Sequence, residues 1–256
     1  MAFLHAVTIA LISFVCMLFG VMVGVRLRRT IPGEHLNVES RDVVKLGAGL
    51  IATQAALVLG LLVSSANSSF DSMNSGMIQV GTKFLTMDRA LSQYGPETKE
   101  LRHLLRSRLI FIRDQIWPAN GQAGGGVSAI EQQNGSEFFS EQVRALVPQT
   151  ESQTAIKAQV LQTTAELAVI RWELIENATG SIPMSLVEML IFWFSVLLLM
   201  FGLLTPSNTT VNTVMIACAF SVAAGIFLIL EMSQPLQGYV KVSSAPLDKA
   251  LEHIGR

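Results

Sequence analysis

The stretch that decides the fold runs from Val43 to Tyr94. Its first part, to Ala66, reads VVKLGAGLIATQAALVLGLLVSSA, which is apolar over the roughly 20 residues that a helix needs to cross a bilayer. Its second part reads NSSFDSMNSGMIQVGTKFLTMDRALSQY, where large apolar residues alternate at spacings of three and four. That heptad pattern is typical of a helix that packs against other helices. The sequence therefore predicts one helix that crosses the membrane and continues into water as a stalk. The stalk's apolar seam consists of Phe70, Met73, Met77, Val80, Phe84, Met87, Leu91 and Tyr94.

The composition is that of a membrane protein. Half of the 256 residues are apolar and only 14% are charged, whereas about a quarter are charged in soluble domains. The apolar residues concentrate in four windows, each long enough to span a bilayer: 3–25, 43–66, 184–204 and 211–230. We therefore predict an all-α fold, a four-helix polytopic protein in contact with the lipid bilayer. The net charge of −1 lacks the basic excess that nucleic-acid binding requires.

The spans divide the chain into four regions. We expect a membrane hairpin at 1–66 with a basic loop at 26–42, a helical soluble domain at 67–183, a second membrane hairpin at 184–230, and a C-terminal tail at 231–256. Gly95-Pro96 and Pro118 break the soluble domain into successive helices, and this predicts an antiparallel helical bundle inserted between the second and third spans. The stretch 119–135 is rich in Gly, Asn and Gln, which predicts a mobile loop.

Charge near the first span indicates the orientation. Arg26, Arg28 and Arg29 follow the span and no Lys or Arg precedes it, so its C-terminal end is expected in the cytoplasm. The soluble domain is then periplasmic in an inner-membrane protein, although the reverse orientation stays open because long domains translocate regardless of their charge. We expect the first span to be an uncleaved anchor. Cys16 and Cys218 lie within spans and are poorly placed for disulfides.

Three polar residues of the second span are candidates for lining a pore: Thr53, Gln54 and Ser64. An amide near the middle of a span must either hydrogen-bond another helix or face water. Both interpretations of Gln54 stay open. Glu188, one turn into the third span, is a candidate intramembrane ionisable site, but its position also allows the carboxylate to reach the interface.

Small residues recur at fourfold spacing in three spans, which permits close approach of helix backbones in lipid. Ala48, Ala52, Ala56 and Gly60 form one such face on the second span, with Gly20 and Gly24 on the first and Ala217, Ser221 and Gly225 on the fourth. Such faces serve either packing within one chain or contact between subunits of a homo-oligomer.

We predict neither an enzyme nor a bound cofactor or metal. Glu100 and His103 have the spacing of a carboxylate-bridged metal site, but no second pair completes it. Gly124-Gly125-Gly126 lacks the Lys-Ser/Thr ending of a phosphate-binding loop. The four histidines are scattered among different segments, so no catalytic constellation can be assembled.

Two stretches resemble a bacterial membrane family that was first catalogued as a domain of unknown function and is now called bestrophin-like. The first is MDRALSQYGPETKELR at 87–102; the second comprises FGLLTPSN at 201–208, LILEMSQPLQG at 228–238 and VSSAPL at 242–247. Ser207 departs from the family pattern, in which a basic residue is frequent at this turn. The signature residues are Asp88, Tyr94, Gly95, Pro96, Gly202, Pro206, Asn208, Glu231, Pro235, Gly238, Ser243 and Pro246.

The resemblance implies similarity to bestrophins, which are oligomeric anion channels with four spans per subunit and a helical soluble region. The aromatic pore neck and acidic calcium clasp of animal bestrophins have no counterpart here, so channel activity rests on fold-level analogy. This analogy predicts an oligomer that passes small anions along an axis lined by the second span. The alternative is a non-conducting structural or sensory protein that dimerises through the stalk seam.

Overall fold

The computed structural model describes residues 2–32, 38–118, 135–179, 182–206, 208–236 and 240–255. All regular elements within these ranges are helical, as predicted. The helices are α1 (Ala2–Thr30), α2 (Val38–Tyr94), a 3₁₀ turn (Pro96–Thr98), α3 (Lys99–Ile116), α4 (Gly135–Ala145), α5 (Glu151–Thr179), α6 (Met184–Leu204), α7 (Thr209–Met232) and α8 (Ala245–His253).

Four of these helices, α1, α2, α6 and α7, are long and apolar enough to cross a membrane. They coincide with the four predicted spans, which confirms a multi-pass membrane protein. Helix α2 is continuous from Val38 to Tyr94 and includes both the predicted span and the predicted stalk.

The chain forms two compact units. One, the spanning unit, contains Met1–Ser68 and Ser181–Ser233, and the second unit contains Ser69–Gly180 and Gln234–Arg256. The C-terminal segment thus belongs with 69–180, whereas the sequence indicated a separate tail. The loop expected at 119–135 lies almost wholly outside the described residues.

The core of the spanning unit takes side chains from all four spanning helices. This core contains both small and large residues, among them Ala6 of α1, Ala55 and Leu62 of α2, Leu190 of α6 and Ile226 of α7. A second cluster joins Met17, Leu198, Ala219 and Ala223. Buried hydroxyls bond within their own helices, as when Ser13 Oγ donates to the carbonyl of Ile9 at 2.7 Å, which satisfies them without water.

Glycines allow α1 and α6 to pack backbone to backbone. A Cβ at Gly20 would overlap the carbonyl oxygen of Ser195, and one at Gly24 would overlap that of Leu199. From the other side, a Cβ at Gly202 would lie 2.8 Å from the carbonyl oxygen of Val21. Packing within the chain therefore explains the small-residue face of α1.

The second unit has a larger apolar core. The stalk seam of α2 is its centre, because Met73, Met77, Phe84, Met87 and Leu91 are each no more than 7% exposed. Buried apolar side chains of α3 pack against this seam, as do side chains of α4, α5 and α8. Each fully buried large side chain stabilises the fold by about 1.5–3 kcal/mol.

The close approach of α1 and α6 generates the first expectation. Gly24→Ala should lower the thermal unfolding midpoint of the purified protein by several degrees, because overpacking costs about 1–3 kcal/mol and exceeds the gain of about 1 kcal/mol in helix propensity. Gly225→Ala is the matched control, since a Cβ there meets no atom within 4 Å. Equal midpoints for the two variants would contradict this packing.

Candidate functional site

One face of α2 in the spanning unit is buried and the opposite face is exposed. Ala55, Leu62 and Ala66 are at most 2% exposed. Because an α-helix turns once per 3.6 residues, positions 53, 57, 60 and 64 lie roughly opposite these three. Leu57 is 71% exposed, and Thr53, Gly60 and Ser64 are exposed as well. The uncovered face therefore mixes large apolar, small and polar residues.

All three candidate pore-lining residues are exposed in the single chain. Thr53 and Ser64 lie near the middle of the uncovered face and Gln54 lies at its edge. The Thr53 hydroxyl donates to the carbonyl of Gly49 at 2.9 Å, so its hydrogen is satisfied within the helix. No other residue in the described ranges hydrogen-bonds the Gln54 amide. Within one chain, the structure does not provide the interhelical hydrogen bond that was the alternative interpretation of Gln54.

The small-residue face of α2 behaves differently from that of α1. Ala52, Ala56 and Gly60 are exposed, and a Cβ added to Gly60 would meet nothing within 4 Å. Gly225 of α7 is similarly open. On α2, these positions leave room for a second backbone that the described residues do not supply.

Glu188 lies in the second turn of α6 and is exposed. Among the described residues none forms an ion pair or hydrogen bond with its carboxylate, so the structure does not connect it with Thr53, Gln54 or Ser64. The described part of the chain also contains no group of three His, Cys, Asp or Glu side chains that could hold a metal ion.

One signature residue of the second unit, Asp88, forms a buried ion pair. Asp88 of α2 is only 4% exposed and accepts two hydrogen bonds from the Arg102 guanidinium of α3, at 2.8 and 2.9 Å. The backbone N–H of Gly255 donates to the same carboxylate at 3.3 Å. The hydrogen bond with Asp88 raises the pKa of Arg102. One carboxylate thus joins α2, α3 and the end of α8.

The next signature residues make the turn between α2 and α3. Gly95 has φ 143°, a conformation that side chains rarely adopt, and Pro96 starts the 3₁₀ turn. The Thr98 hydroxyl donates to the carbonyls of Leu91 and Gly95 at 2.5 and 2.8 Å, which satisfies carbonyls at the end of α2. Tyr94 is 3% exposed; burial raises its pKa, and the nearby Glu97 adds to the effect.

The C-terminal signature residues hold the last helix in the second unit. The Pro235 carbonyl accepts from the N–H of Val242 at 3.0 Å, whose own carbonyl accepts from Trp117 Nε1 at 2.9 Å. A Cβ at Gly81 would lie 2.9 Å from the Pro246 carbonyl oxygen, so α8 packs closely on α2. Ser243 Oγ accepts from the N–H of Ala245 at 3.2 Å. Gly238 lies outside the described residues.

The remaining signature residues shape the spanning unit. Gly202 permits contact with α1, as described above, and Asn208 caps α7 by accepting from the N–H of Val211 at 2.8 Å. Pro206 precedes this cap and is exposed. Glu231, at the end of α7, is 2% exposed. Ser207 lies outside the described residues.

Sequence reasoning missed the partners in these contacts. The sequence assigned no partner to Arg102, and helix α8 was not predicted. Arg113 of α3 bonds Asp114 and, at 3.2 Å, Asp248 of α8; both contacts raise its pKa, that with Asp114 most. The sequence indicates these contacts only weakly, because an arginine beside the apolar face of a helix is usually exposed to solvent.

The buried ion pair leads to the second expectation. Arg102→Gln should destabilise the protein by about 3–5 kcal/mol, because it leaves the Asp88 carboxylate buried without its main partner. The double variant Asp88→Asn/Arg102→Gln should lose less free energy of unfolding than Asp88→Asn and Arg102→Gln lose together. Denaturant unfolding of the purified protein measures all three.

Lys45→Gln provides the control for this experiment. This variant removes an exposed ion pair, in which the side chain of Lys45 is 64% exposed and that of Asp42 is 58% exposed. It should lower the free energy of unfolding by less than about 1 kcal/mol. An Arg102→Gln variant as stable as Lys45→Gln would contradict the role assigned to the buried pair.

The comparison with protein families finds one family model that matches the chain. The model of the bestrophin-like domain matches residues 4–247, and the match includes all four spanning helices and every signature residue. Comparisons with curated proteins and with solved structures give no match. Because the family model covers nearly the whole sequence, the chain belongs to the bestrophin-like family.

Proposed function

We propose that this protein forms a homo-oligomeric pathway for small anions through the inner membrane, with the uncovered face of α2 directed toward the central axis. The observation that carries the proposal is the exposed Gln54 amide in the middle of a spanning helix, without a hydrogen-bond partner among the described residues. An unsatisfied amide in hydrocarbon costs several kcal/mol. A water-filled axis or a neighbouring subunit removes this cost.

Other exposed positions of α2 support contact with neighbouring subunits. Ala52, Ala56 and Gly60 are exposed on the opposite flank of the helix from Gln54, and they allow backbones of neighbouring subunits to approach closely. Thr53 and Ser64 place hydroxyls about three turns apart along the axis.

The chemistry of this face favours anions over cations. Amide N–H and hydroxyl O–H groups can donate hydrogen bonds to an anion, and rings of donors are one basis of selectivity in pores. From Lys45 to Phe70 the sequence of α2 has no Asp or Glu, so no carboxylate ring attracts cations along this stretch. Thr53, Gln54 and Ser64 are therefore the proposed lining, and Glu188 is a candidate site outside it.

The structure offers less support for the sensory alternative. Dimerisation through the stalk requires an accessible seam, but Met73, Met77, Met87 and Leu91 are at most 1% exposed and pack inside the second unit.

The third expectation concerns conduction. Purified protein in a planar bilayer with chloride and potassium gradients should give discrete currents that reverse near the chloride potential. Gln54→Leu should reduce the single-channel conductance several-fold, because it removes a donor from the lining. Thr53→Val should reduce it less, since that hydroxyl already bonds Gly49.

Thr213→Val is the matched control. Thr213 is also an exposed threonine in a spanning helix, and its hydroxyl likewise donates to the carbonyl four residues earlier, at 2.9 Å. Its conductance should equal that of the wild type. Full conductance in Gln54→Leu would refute the proposed lining, and a silent bilayer with folded, inserted protein would refute the channel.

We also propose that the second unit is an inserted antiparallel helical bundle on the periplasmic side. The arginines that follow the first span support this orientation. The fourth expectation tests it with Ser107→Cys, an exposed position of α3, in a background in which Cys16 and Cys218 are serine. A membrane-impermeant maleimide should label this cysteine in intact cells with a permeabilised outer membrane. Labelling only after the inner membrane is lysed would establish the reverse orientation.

A further inference from the structure

A groove of about 490 Å³ lies between α6 and α7 in the spanning unit. Its lining is almost entirely apolar and includes Leu197 and Phe201 of α6 and Val214 and Cys218 of α7. Phe201 is 47% exposed and Val214 is 56% exposed, so the groove is open on one side. A cavity of about 150 Å³ holds the six carbons of benzene, and the groove therefore has room for one acyl chain.

The groove is about as long as one leaflet of a bilayer is thick. On α6 its lining begins at Phe194 and ends at Thr205, which is a distance of about 16 Å along the helix axis. Half of the hydrocarbon core of a bilayer measures about 15 Å. Because Thr205 directly follows the last residue of α6, the groove extends from one end of the spanning helices to about the middle of the membrane.

Arg28 of α1 lies at the same end of the spanning unit as Thr205. Helices α1 and α6 run parallel, because Gly20 approaches the carbonyl of Ser195 and Gly24 approaches the carbonyl one turn later. Arg28 follows Gly24 by one turn, on the face of α1 that packs against α6. This position places Arg28 near the level of Thr205 along the helix axes.

The guanidinium of Arg28 has no counter-charge among the described residues. Its Nη1 atom is buried without a hydrogen-bond partner there, and no described carboxylate forms an ion pair with it. Arg26 and Arg29 add positive charge at this end, and α7 begins here with the positive end of its helix dipole. From Met189 to Leu230 the sequence has no Asp or Glu. This end of the groove therefore favours an anion.

We propose that the groove binds an anionic phospholipid, such as phosphatidylglycerol, with one acyl chain between α6 and α7 and the phosphate at Arg28. The phosphate oxygens accept charge-assisted hydrogen bonds from the guanidinium, whose planar fork matches two of them at once. The acyl chain covers the apolar lining. Basic pockets between spanning helices are typical sites for anionic lipid head groups.

Charge and length together distinguish this lipid from related ligands. A free phosphate ion satisfies the guanidinium but leaves the apolar lining uncovered. Phosphatidylcholine covers the lining, but its positive choline group lies close to Arg26, Arg28 and Arg29 and opposes their attraction for the phosphate. The groove thus selects a lipid whose head group has a net negative charge.

The first test is native mass spectrometry of the full-length protein, released from detergent micelles that contain added lipid. Phosphatidylglycerol should bind at least about tenfold more tightly than phosphatidylcholine with the same acyl chains, because its head group has no positive charge. Glycerol 3-phosphate at the same concentration should leave the bound lipid in place, since it lacks acyl chains. Equal affinities for the two lipids, or displacement by glycerol 3-phosphate, would overturn the proposal.

A pair of arginine variants locates the head group. Arg28→Gln should weaken phosphatidylglycerol binding about tenfold, because it removes the charge-assisted hydrogen bonds. Arg41→Gln is the matched control, since Arg41 is an exposed arginine at the start of α2 and belongs to the same predicted basic loop. This control should bind as tightly as the wild type. Equal affinities of Arg28→Gln and Arg41→Gln would overturn the assignment of the head group.

A pair of cysteine variants locates the acyl chain. Cys218→Trp should weaken the binding of phosphatidylglycerol at least about tenfold, because the indole displaces several methylenes from the groove. Cys16→Trp should leave binding unchanged, since Cys16 is exposed as well but lies outside the lining. Equal affinities of these two variants would overturn the assignment of the acyl chain. Circular dichroism checks folding, and if Cys218→Trp is unfolded, the arginine variants decide.

Discussion

The stripe of buried side chains along α2 is the constraint on which both units depend. It passes through Ala48, Ala55, Leu62 and Ala66 in the spanning unit and continues through Met73, Met77, Phe84, Met87 and Leu91 in the second unit. Within each unit, the spacings of three, four and seven keep these residues on one side of that part of the helix. Each unit builds its core on its own part of this stripe.

The residue types on the stripe change after Ala66, where the helix is expected to pass from lipid into water. The buried positions up to Ala66 are mostly alanine, whereas those from Met73 onward are methionine, phenylalanine and leucine. In lipid, burying a large apolar side chain gains little over leaving it in contact with acyl chains, so helices associate through small residues that permit close approach. In water, the gain grows with the apolar area removed from solvent. The exposed face changes in the opposite sense, from Leu46, Leu50 and Leu57 to Ser68 and Asp71.

Local patterns predicted what depends on local patterns. Four spans, the stalk seam and the helix break at Gly95-Pro96 follow from hydropathy, periodicity and turn-forming residues. Helix α8 did not, because it is only nine residues long and is held by distant contacts, such as that between Arg113 and Asp248.

The small-residue faces show most clearly why one pattern can have two outcomes. Gly20 and Gly24 have the same fourfold spacing as Ala52, Ala56 and Gly60, yet the first pair contacts the backbone of α6, whereas the second set is exposed and a Cβ at Gly60 would meet no atom within 4 Å. Spacing specifies only that a backbone can approach closely; it does not specify which backbone. Since the open face of α2 also carries Thr53, with Gln54 at its edge, covering it with lipid alone would leave a polar amide in hydrocarbon. A second copy of α2 around a hydrated axis satisfies both requirements, because small residues admit the neighbouring helix and polar residues face the water.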